Sequence, residues 1–353
     1  FKSNFPMTRK MASLLKKQKP DLRIILGGPE ISSSFFHLRD RMVDYFRDMA
    51  DFLVAGEGEL PLFHYLTGRH YLTGRTLRSS LSAFQEQEDL TESPDPDFSD
   101  FYLSSYPKKS AISLMLSRGC IKRCRFCAER LLYKKFRLYP IPGIMQKIGE
   151  LKRSGIHTFI FHDSLINGNL SWLEDFCEAI MEHFGSIHWE AQIAIRRDMP
   201  DTLFSKMKQS GCYHLFVGLE SGCSRTLEAM RKGYTAEEAL EFFKKLKRAG
   251  LSFGVSILVG FPTETYSDFL ESLSFILEHK EWIPKIEQVN PFVRYRGLSL
   301  PEASDYKANP ESLDRADFFI ESIKKEGLKY TKAFLLNLVE QEWKSERLKS
   351  KES

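Results

Sequence analysis

One short pattern, repeated three times in the middle of the chain, limits the possible folds more than any other feature. Each copy is the basic last turn of a helix closed by a glycine, and the three glycines are Gly155, Gly211 and Gly250. Each glycine precedes an apolar run rich in β-branched and aromatic residues, at 158–161, 214–219 and 253–259. Basic residues suit the negative end of the helix dipole, and glycine takes the left-handed conformation that ends a helix. Repeated helix–strand units of this kind predict a parallel sheet covered by helices.

Three other apolar runs, at 112–116, 187–195 and 286–292, are predicted to be strands of the same sheet. The total of about six βα units predicts an α/β fold with a partial (β/α)6 TIM-like barrel. In such a barrel the functional groups lie at the carboxyl ends of the strands. The helix that leads to Gly250 also begins with the sequence of a capping box, with Thr235 and Glu238 as its partners.

The residues before 76 show the same alternation on a smaller scale. A helix at about 8–18 leads into a strand at 22–26, and a helix at 36–49 leads into a strand at 52–55. This predicts the last part of a doubly wound, Rossmann-like α/β domain, and the start at Phe1 indicates that the natural N-terminus is missing. We expect four segments along the chain: the α/β remnant at 1–76, a linker at 77–107, the barrel at 108–300 and a helical C-terminal extension at 301–353.

The composition is that of a folded protein with little net charge. Apolar residues make up 42% of the 353 residues and charged residues 28%, which is enough apolar material for a core. The 51 Lys and Arg nearly balance the 47 Asp and Glu, and a net charge of +4 gives no case for general nucleic-acid binding. Because the sequence has no signal-peptide pattern and no apolar run of bilayer length, we expect a cytoplasmic protein without a membrane partner.

Three of the six cysteines are concentrated in one predicted loop. Cys120, Cys124 and Cys127 follow the first barrel strand and lie within eight residues of each other. Three thiolates so close together indicate a metal centre. A structural zinc site takes a fourth ligand, normally at another short spacing, and the next cysteine is the distant Cys177. Three cysteines suit a [4Fe–4S] cluster in which one iron stays open for an outside ligand.

The spacing CX3CXΦC, in which Phe126 is the aromatic residue, resembles the signature of the radical S-adenosylmethionine (radical SAM) superfamily. The resemblance implies that the three cysteines bind a [4Fe–4S] cluster and that its open iron chelates S-adenosylmethionine (SAM). One electron from the reduced cluster then splits SAM into methionine and a 5′-deoxyadenosyl radical, which takes a hydrogen atom from a substrate. Phe126 is expected beside the cluster, near the adenine end of SAM.

Other strand ends are similar to those of one subgroup, whose members often carry an N-terminal cobalamin-binding domain. The resemblance of residues 217–222 to its fourth-strand region implies that Glu220 contacts SAM. Residues 255–265 resemble the fifth-strand motif whose backbone lies against adenine, at Gly260. Asp163 is the expected partner of the SAM amino group, and Gln192 is expected to reach SAM.

Some of these residues also have simpler interpretations, which the sequence leaves open. Glu220 would equally serve as an exposed acid that caps a turn, and Gly260 would suit any turn at the end of a strand. Arg197, which follows the third strand, reaches either SAM or a partner in a surface ion pair.

The N-terminal segment is similar to the same subgroup. Residues 25–29 and 51–59 resemble the second half of a cobalamin-binding domain, joined to the barrel through 96–98. The motif with the cobalt-ligating histidine in such domains lies upstream of Phe1, so the resemblance implies cobalamin for a longer protein rather than for this chain. It also implies methyl transfer or a related bond-forming reaction on an unknown small-molecule or peptide substrate. The electrons would come from an external reductant such as flavodoxin or ferredoxin.

Two other classes of protein use clustered cysteines. An iron–sulfur electron-transfer module would have four ligating cysteines and no need for a barrel, whereas this sequence has three and a barrel pattern. A zinc-stabilised binding protein would retain zinc after anaerobic purification and would have no brown colour.

Overall fold

The computed structural model describes residues 5–38, 41–68, 86, 89–93, 96–98, 100–101, 111–294, 298, 300 and 310–331. Most of the predicted linker and most of the predicted C-terminal extension lie outside these residues, and the boundaries at 76, 107 and 300 stay predictions. No helix among the described residues combines the length and the apolar character needed to cross a bilayer.

The strands of the described residues are β1 (Ile25–Leu26), β2 (Phe52–Leu53), β3 (Ala111–Leu114), β4 (Ser117–Arg118), β5 (Arg137–Leu138), β6 (Thr158–Phe161), β7 (His188–Ile193), β8 (Cys212–Glu220), β9 (Phe253–Val259), β10 (Lys285–Pro291) and β11 (Lys329–Tyr330). The α-helices are α1 (Phe5–Gln18), α2 (Pro29–Leu38), α3 (Met42–Phe46), α4 (Glu59–Leu66), α5 (Glu129–Leu132), α6 (Ile141–Arg153), α7 (Leu170–Phe184), α8 (Asp201–Gln209), α9 (Ser224–Met230), α10 (Ala236–Arg248), α11 (Tyr266–Glu278) and α12 (Pro310–Lys325).

The large sheet has seven parallel strands in the order β3-β6-β7-β8-β9-β10-β11. This confirms the predicted α/β fold and its six strands, and it corrects their number, because β11 pairs with β10 as a seventh strand. The two ends of the order, β3 and β11, have no pairing with each other in the described part of the chain, so the sheet is an open, partial barrel. Helix α12 confirms the predicted helical C-terminus.

The helices pack on one face of this sheet through a continuous apolar core. Phe161 of β6, Phe176 of α7 and Trp189 of β7 are fully buried there, and the ring centroids of Phe161 and Phe176 are 5.5 Å apart. The predicted helix ends are confirmed, since Gly155, Gly211 and Gly250 have φ values of +85°, +97° and +67°. The capping box of Thr235 and Glu238 at the start of α10 is confirmed as well.

The small unit before residue 69 contains a two-stranded parallel sheet, in which Ile25 pairs with Phe52 and Leu26 with Leu53. The single helix predicted at 36–49 is wrong, because the chain forms α2 and α3 in this region. Pro29 suits the first position of a helix, so α2 begins well before Phe36.

The chain leaves the large sheet after Leu114, which is earlier than predicted. It enters a small antiparallel hairpin in which β4 pairs with β5, with Ser117 opposite Leu138 and Arg118 opposite Arg137. The loop that carries the three clustered cysteines runs from β4 to α5. This hairpin therefore lies between the barrel sheet and the cysteines.

Candidate metal centre

The turn from β4 into the cysteine loop requires a glycine. Gly119 has a φ of +83°, and a Cβ at this position would lie 2.3 Å from the carbonyl oxygen of Lys135. Glycine is the residue that adopts this conformation at no steric cost. On the other side of the loop, the guanidinium of Arg123 donates a hydrogen bond to the carbonyl oxygen of Lys134 at 2.5 Å. The loop is thereby fixed against the segment that precedes β5.

Two residues that follow β6 hold the cysteine loop at both of its ends. The carboxylate of Asp163 accepts hydrogen bonds from the backbone N–H of Leu116 at 3.0 Å and the hydroxyl of Ser117 at 2.5 Å. The hydroxyl of Ser164 donates to the carboxylate of Glu129, at the start of α5. The neighbouring strand β6 thus positions the chain immediately before and after the cysteines.

The loop thiols do not lie close enough to each other to share a single zinc ion. Cys120, Cys124 and Cys127 are free thiols. Zinc bound to thiolates at 2.3 Å would bring the sulfur atoms to about 3.8 Å from each other. Within the described residues, one set of three metal-ligating side chains has its ligand atoms mutually within 4.8 Å, and that set does not include the loop cysteines. Each thiolate of a [4Fe–4S] cluster binds a different iron, which requires a wider spacing.

That close set consists of Cys223, Asp268 and Glu271. The carboxylate of Asp268 caps helix α11 and forms an ion pair with Arg225. The oxygen atoms of Asp268 are therefore already occupied by partners within the protein.

The loop thiols are protonated when no metal is bound. Burial raises the pKa of Cys120 to about 11 and that of Cys127 to about 12, and it raises the pKa of Cys124 as well. A thiolate is the form that binds iron. Binding of a cluster must therefore release three protons from this loop.

Two of the predicted SAM-pocket residues, Phe126 and Glu220, both lie against Lys232 near the carboxyl end of β8. Glu220 has a φ of +70°, at a register shift between β8 and β9. Its carboxylate accepts hydrogen bonds from the ammonium group of Lys232 and the hydroxyl of Ser256, both at 3.3 Å. The Nζ of Lys232 also lies 5.6 Å from the ring centroid of Phe126. Lys232 was not identified from the sequence, because its partners lie far from it along the chain.

Phe126 belongs to an apolar cluster at the carboxyl edge of the sheet. It packs against buried side chains contributed by the end of α9 and by the chain after β9 and β10: Met230, Phe261, Phe292, Leu298 and Leu300. Phe126 is therefore an apolar wall beside the cysteine loop, on the same side as the segment that contains Gly260.

The other predicted site residues lie on neighbouring strands. Asp163 is fully buried, and burial raises its pKa to about 6. Gln192 alternates along β7 with the core residues Ala191 and Ile193, which places it on the inner face of the sheet. A contact of SAM with these residues, or with Phe126, Glu220 or Gly260, stays a prediction.

Gly260 packs against the C-terminal helix. It has a φ of +76°, and a Cβ there would lie 1.9 Å from the Oγ of Ser312 on α12. Its backbone N–H donates to the carboxylate of Glu264 at 2.6 Å. Packing of the protein thus already requires glycine at this position.

Arg197 forms an ion pair with Glu238, with a distance of 3.0 Å between Nη1 and Oε1, and its side chain is 71% exposed. This confirms the surface ion pair as the interpretation of Arg197.

The small α/β unit contacts the hairpin beside the cysteines through buried charges. Arg118 of β4 forms ion pairs with Glu57 and Glu59, which lie in and after the loop that follows β2. It also donates a hydrogen bond to the hydroxyl of Ser93 at 3.2 Å. In a doubly wound sheet, the loops at the carboxyl ends of the strands form the ligand-binding edge. That edge of the small unit therefore lies next to the cysteine loop.

Fold, strand order and cysteine loop together define a partial α/β barrel with a metal-binding loop after its first strand. Residues 114–276 match the sequence profile of the Radical SAM superfamily. The matched segment, which runs from the end of β3 into α11, is thus similar to this superfamily.

Known proteins resemble most of the chain. An uncharacterized methyltransferase of Pyrococcus horikoshii is 24% identical over 284 residues, which are 75% of this chain and 60% of that protein. The cobalamin-dependent SAM radical enzyme OxsB has a similar structure, with a TM-score of 0.62 at 16% identity over 91% of this chain and 46% of OxsB. The radical SAM methyltransferase TsrM from Kitasatospora setae gives a TM-score of 0.63 at 16% identity, over 81% of this chain and 58% of TsrM. The chain thus spans about half of the length of these proteins, and the two structures show a shared fold.

Proposed function

We propose that this chain is a radical SAM enzyme that cleaves SAM reductively with a [4Fe–4S] cluster bound to Cys120, Cys124 and Cys127. The observation that carries the proposal is the cysteine loop itself, whose three free thiols follow the first strand of the barrel and whose ends are held by the residues after β6. When bound, the reduced cluster supplies the electron that splits SAM into methionine and a 5′-deoxyadenosyl radical.

The side chains at the carboxyl edge would form the SAM pocket in this proposal. Phe126 supplies an apolar surface that excludes water, and Glu220 supplies a carboxylate fixed by two hydrogen bonds. Gln192 and Gly260 contribute from the neighbouring strands. Asp163 is the proposed partner of the SAM amino group, and its carboxylate is positioned by hydrogen bonds from Leu116 and Ser117.

The reaction class in this proposal is methyl transfer or a related bond formation at a carbon atom of a small-molecule or peptide substrate. Its support is the similarity to two other proteins, one an uncharacterized methyltransferase and one a radical SAM methyltransferase. In this proposal cobalamin binds to a longer form of the protein. Flavodoxin or ferredoxin supplies the electrons, and the enzyme acts in the cytoplasm. The six free cysteines support a reducing compartment.

The test is anaerobic. The protein is reconstituted with iron and sulfide, reduced with dithionite and supplied with SAM, and 5′-deoxyadenosine is measured by mass spectrometry. We expect 5′-deoxyadenosine from the wild type and none from Cys120→Ala. Cys177→Ala is the matched control, because Cys177 is a buried free thiol on α7, and it should retain both the cluster and the product.

Two results would contradict the proposal. Tight zinc without brown colour would indicate a zinc-stabilised binding protein. A complete cluster whose EPR spectrum does not change on addition of SAM would indicate an electron-transfer module.

A further inference from the structure

A lysine is enclosed where the cysteine loop meets the end of β8. Helix α9 ends at Met230, and Arg231 takes the left-handed conformation with a φ of +59°. The backbone N–H of Lys232 donates to the carbonyl oxygen of Leu227 at 3.0 Å, which closes the helix. This cap turns Lys232 from the helix toward the sheet, where it meets Glu220.

The same turn is bonded to the cysteine loop at two points. The backbone N–H of Arg125 donates to the carbonyl oxygen of Met230 at 3.0 Å. The ammonium group of Lys122 donates to the carbonyl oxygen of Lys232 at 3.4 Å. Both donors lie between the cysteines, so the position of Lys232 relative to the loop is fixed by the backbone.

The ammonium group of Lys232 is shielded from water by aromatic rings. It lies 5.6 Å from the ring centroid of Phe126 and 5.7 Å from that of Tyr234, within the range of cation–π contacts. Only 11% of the Lys232 side chain is exposed. Charges act more strongly in such a site than in water.

The lysine is charged at neutral pH in spite of its burial. Burial acts to lower the pKa of Lys232, but the carboxylate of Glu220 helps to hold that pKa above its ordinary value. The charged ammonium group lies against the ring of Phe126, a residue of the cysteine loop.

We propose that Lys232 is a positioning residue that raises the reduction potential of the cluster and orders Glu220 beside it. Reduction adds one negative charge to the cluster, and a fixed, desolvated cation nearby stabilises that charge. The inference rests on the proposed function, because it requires a cluster on the loop that contains Cys124.

The experiment is an EPR-monitored redox titration of the anaerobically reconstituted wild type, Lys232→Met and Lys232→Arg. Iron and sulfide per chain are measured first, and a wild type that binds no cluster would refute the proposed function itself. With the cluster present, we expect Lys232→Met to shift the midpoint potential to more negative values and Lys232→Arg to stay near the wild type. Lys244→Met, which removes a cation from the outer surface of α10, is the matched control and should cause no shift.

Equal midpoint potentials for wild type and Lys232→Met, at equal iron content, would overturn the inference. If Lys232→Met does not fold, Glu220→Gln tests the same electrostatic effect on the midpoint potential, because it removes the opposite charge of the pair. Removal of the Glu220 charge leaves Lys232 uncompensated, so the potential should shift to more positive values. A shift to more negative values, or none, would also overturn the inference.

Discussion

Glu57 and Arg137 form a bidentate ion pair that joins the small α/β unit to the hairpin beside the cysteine loop. The guanidinium donates to the carboxylate of Glu57 at 2.6 and 3.1 Å, and both side chains are less than 10% exposed. The same carboxylate also lies 3.2 Å from Arg118, one residue before Gly119. Glu57 thus bridges two buried cations at the start of the cysteine loop, while Glu59 and Glu86 each contact one of them.

We expect Glu57→Gln to destabilise the protein by about 3 kcal/mol, because it breaks the buried pair with Arg137 and also takes one acid away from Arg118. The measurement is urea denaturation of the cluster-free protein followed by circular dichroism. Glu241→Gln breaks an exposed pair with Lys244 and should leave the urea midpoint unchanged. Equal effects of the two substitutions would show that the buried pair adds nothing.

Replacement of Gly119 by alanine should prevent cluster binding. The new Cβ would lie 2.3 Å from the carbonyl oxygen of Lys135, and the backbone conformation at φ +83° disfavours any residue but glycine. We expect less than one tenth of the wild-type iron per chain after reconstitution. Gly143→Ala, in helix α6, is the control, because its Cβ would meet no atom within 4 Å. It should stabilise the protein by about 0.5 kcal/mol and keep all its iron.

The buried carboxyl group of Asp163 predicts a dependence of stability on pH. Its pKa is about 6 in the folded protein and about 3.9 in an unfolded chain. Between these values the folded state keeps a proton that the unfolded state has lost, so stability falls as the pH rises from 4 to 6 and then levels off. Relative to Asp163→Asn, the wild type should lose about 2 kcal/mol between pH 4 and pH 7. Urea denaturation at several pH values gives this difference, and a constant difference would contradict the prediction.

Gly260→Ala should displace helix α12. Its Cβ would lie 1.9 Å from the Oγ of Ser312, and its φ is +76°. Gly155 provides the matched control, because it has a similar φ of +85° but open space at the Cβ position. We expect a loss of about 1 kcal/mol for Gly155→Ala and about 2 kcal/mol more for Gly260→Ala, measured as urea stability. If both variants lose the same free energy of unfolding, the contact with α12 does not contribute to stability.

Most of the sheet was predictable because its signals are local. A basic turn and a glycine precede β6, β8 and β9, and strand β9 begins and ends where its apolar run does. Strand β11 was missed because it has only two residues, Lys329 and Tyr330, and no alternation that distinguishes it from a helix. Helix α2 was misplaced because its start depends on Pro29, which was interpreted as part of a turn.

The candidate site was predictable only where it is local in sequence. The three cysteines are recognised by their spacing, but the ion pair of Glu57 and Arg137 joins residues 80 positions apart. Contacts between distant segments depend on the packing of the whole fold, which a pattern of neighbouring residues does not contain. For the same reason the burial of Asp163, and its bonds to Leu116 and Ser117, become visible only in the folded protein.

The distance along the chain between Cys127 and Lys232 has a consequence for synthesis. A ribosome adds about 5 to 20 residues per second, so the cysteine loop is made about 5 to 20 s before the lysine that lies against it. During that interval the thiols have neither the end of β8 nor the cap of α9 beside them. The nascent chain is thus open to zinc and oxygen at the loop before the second half of the barrel exists.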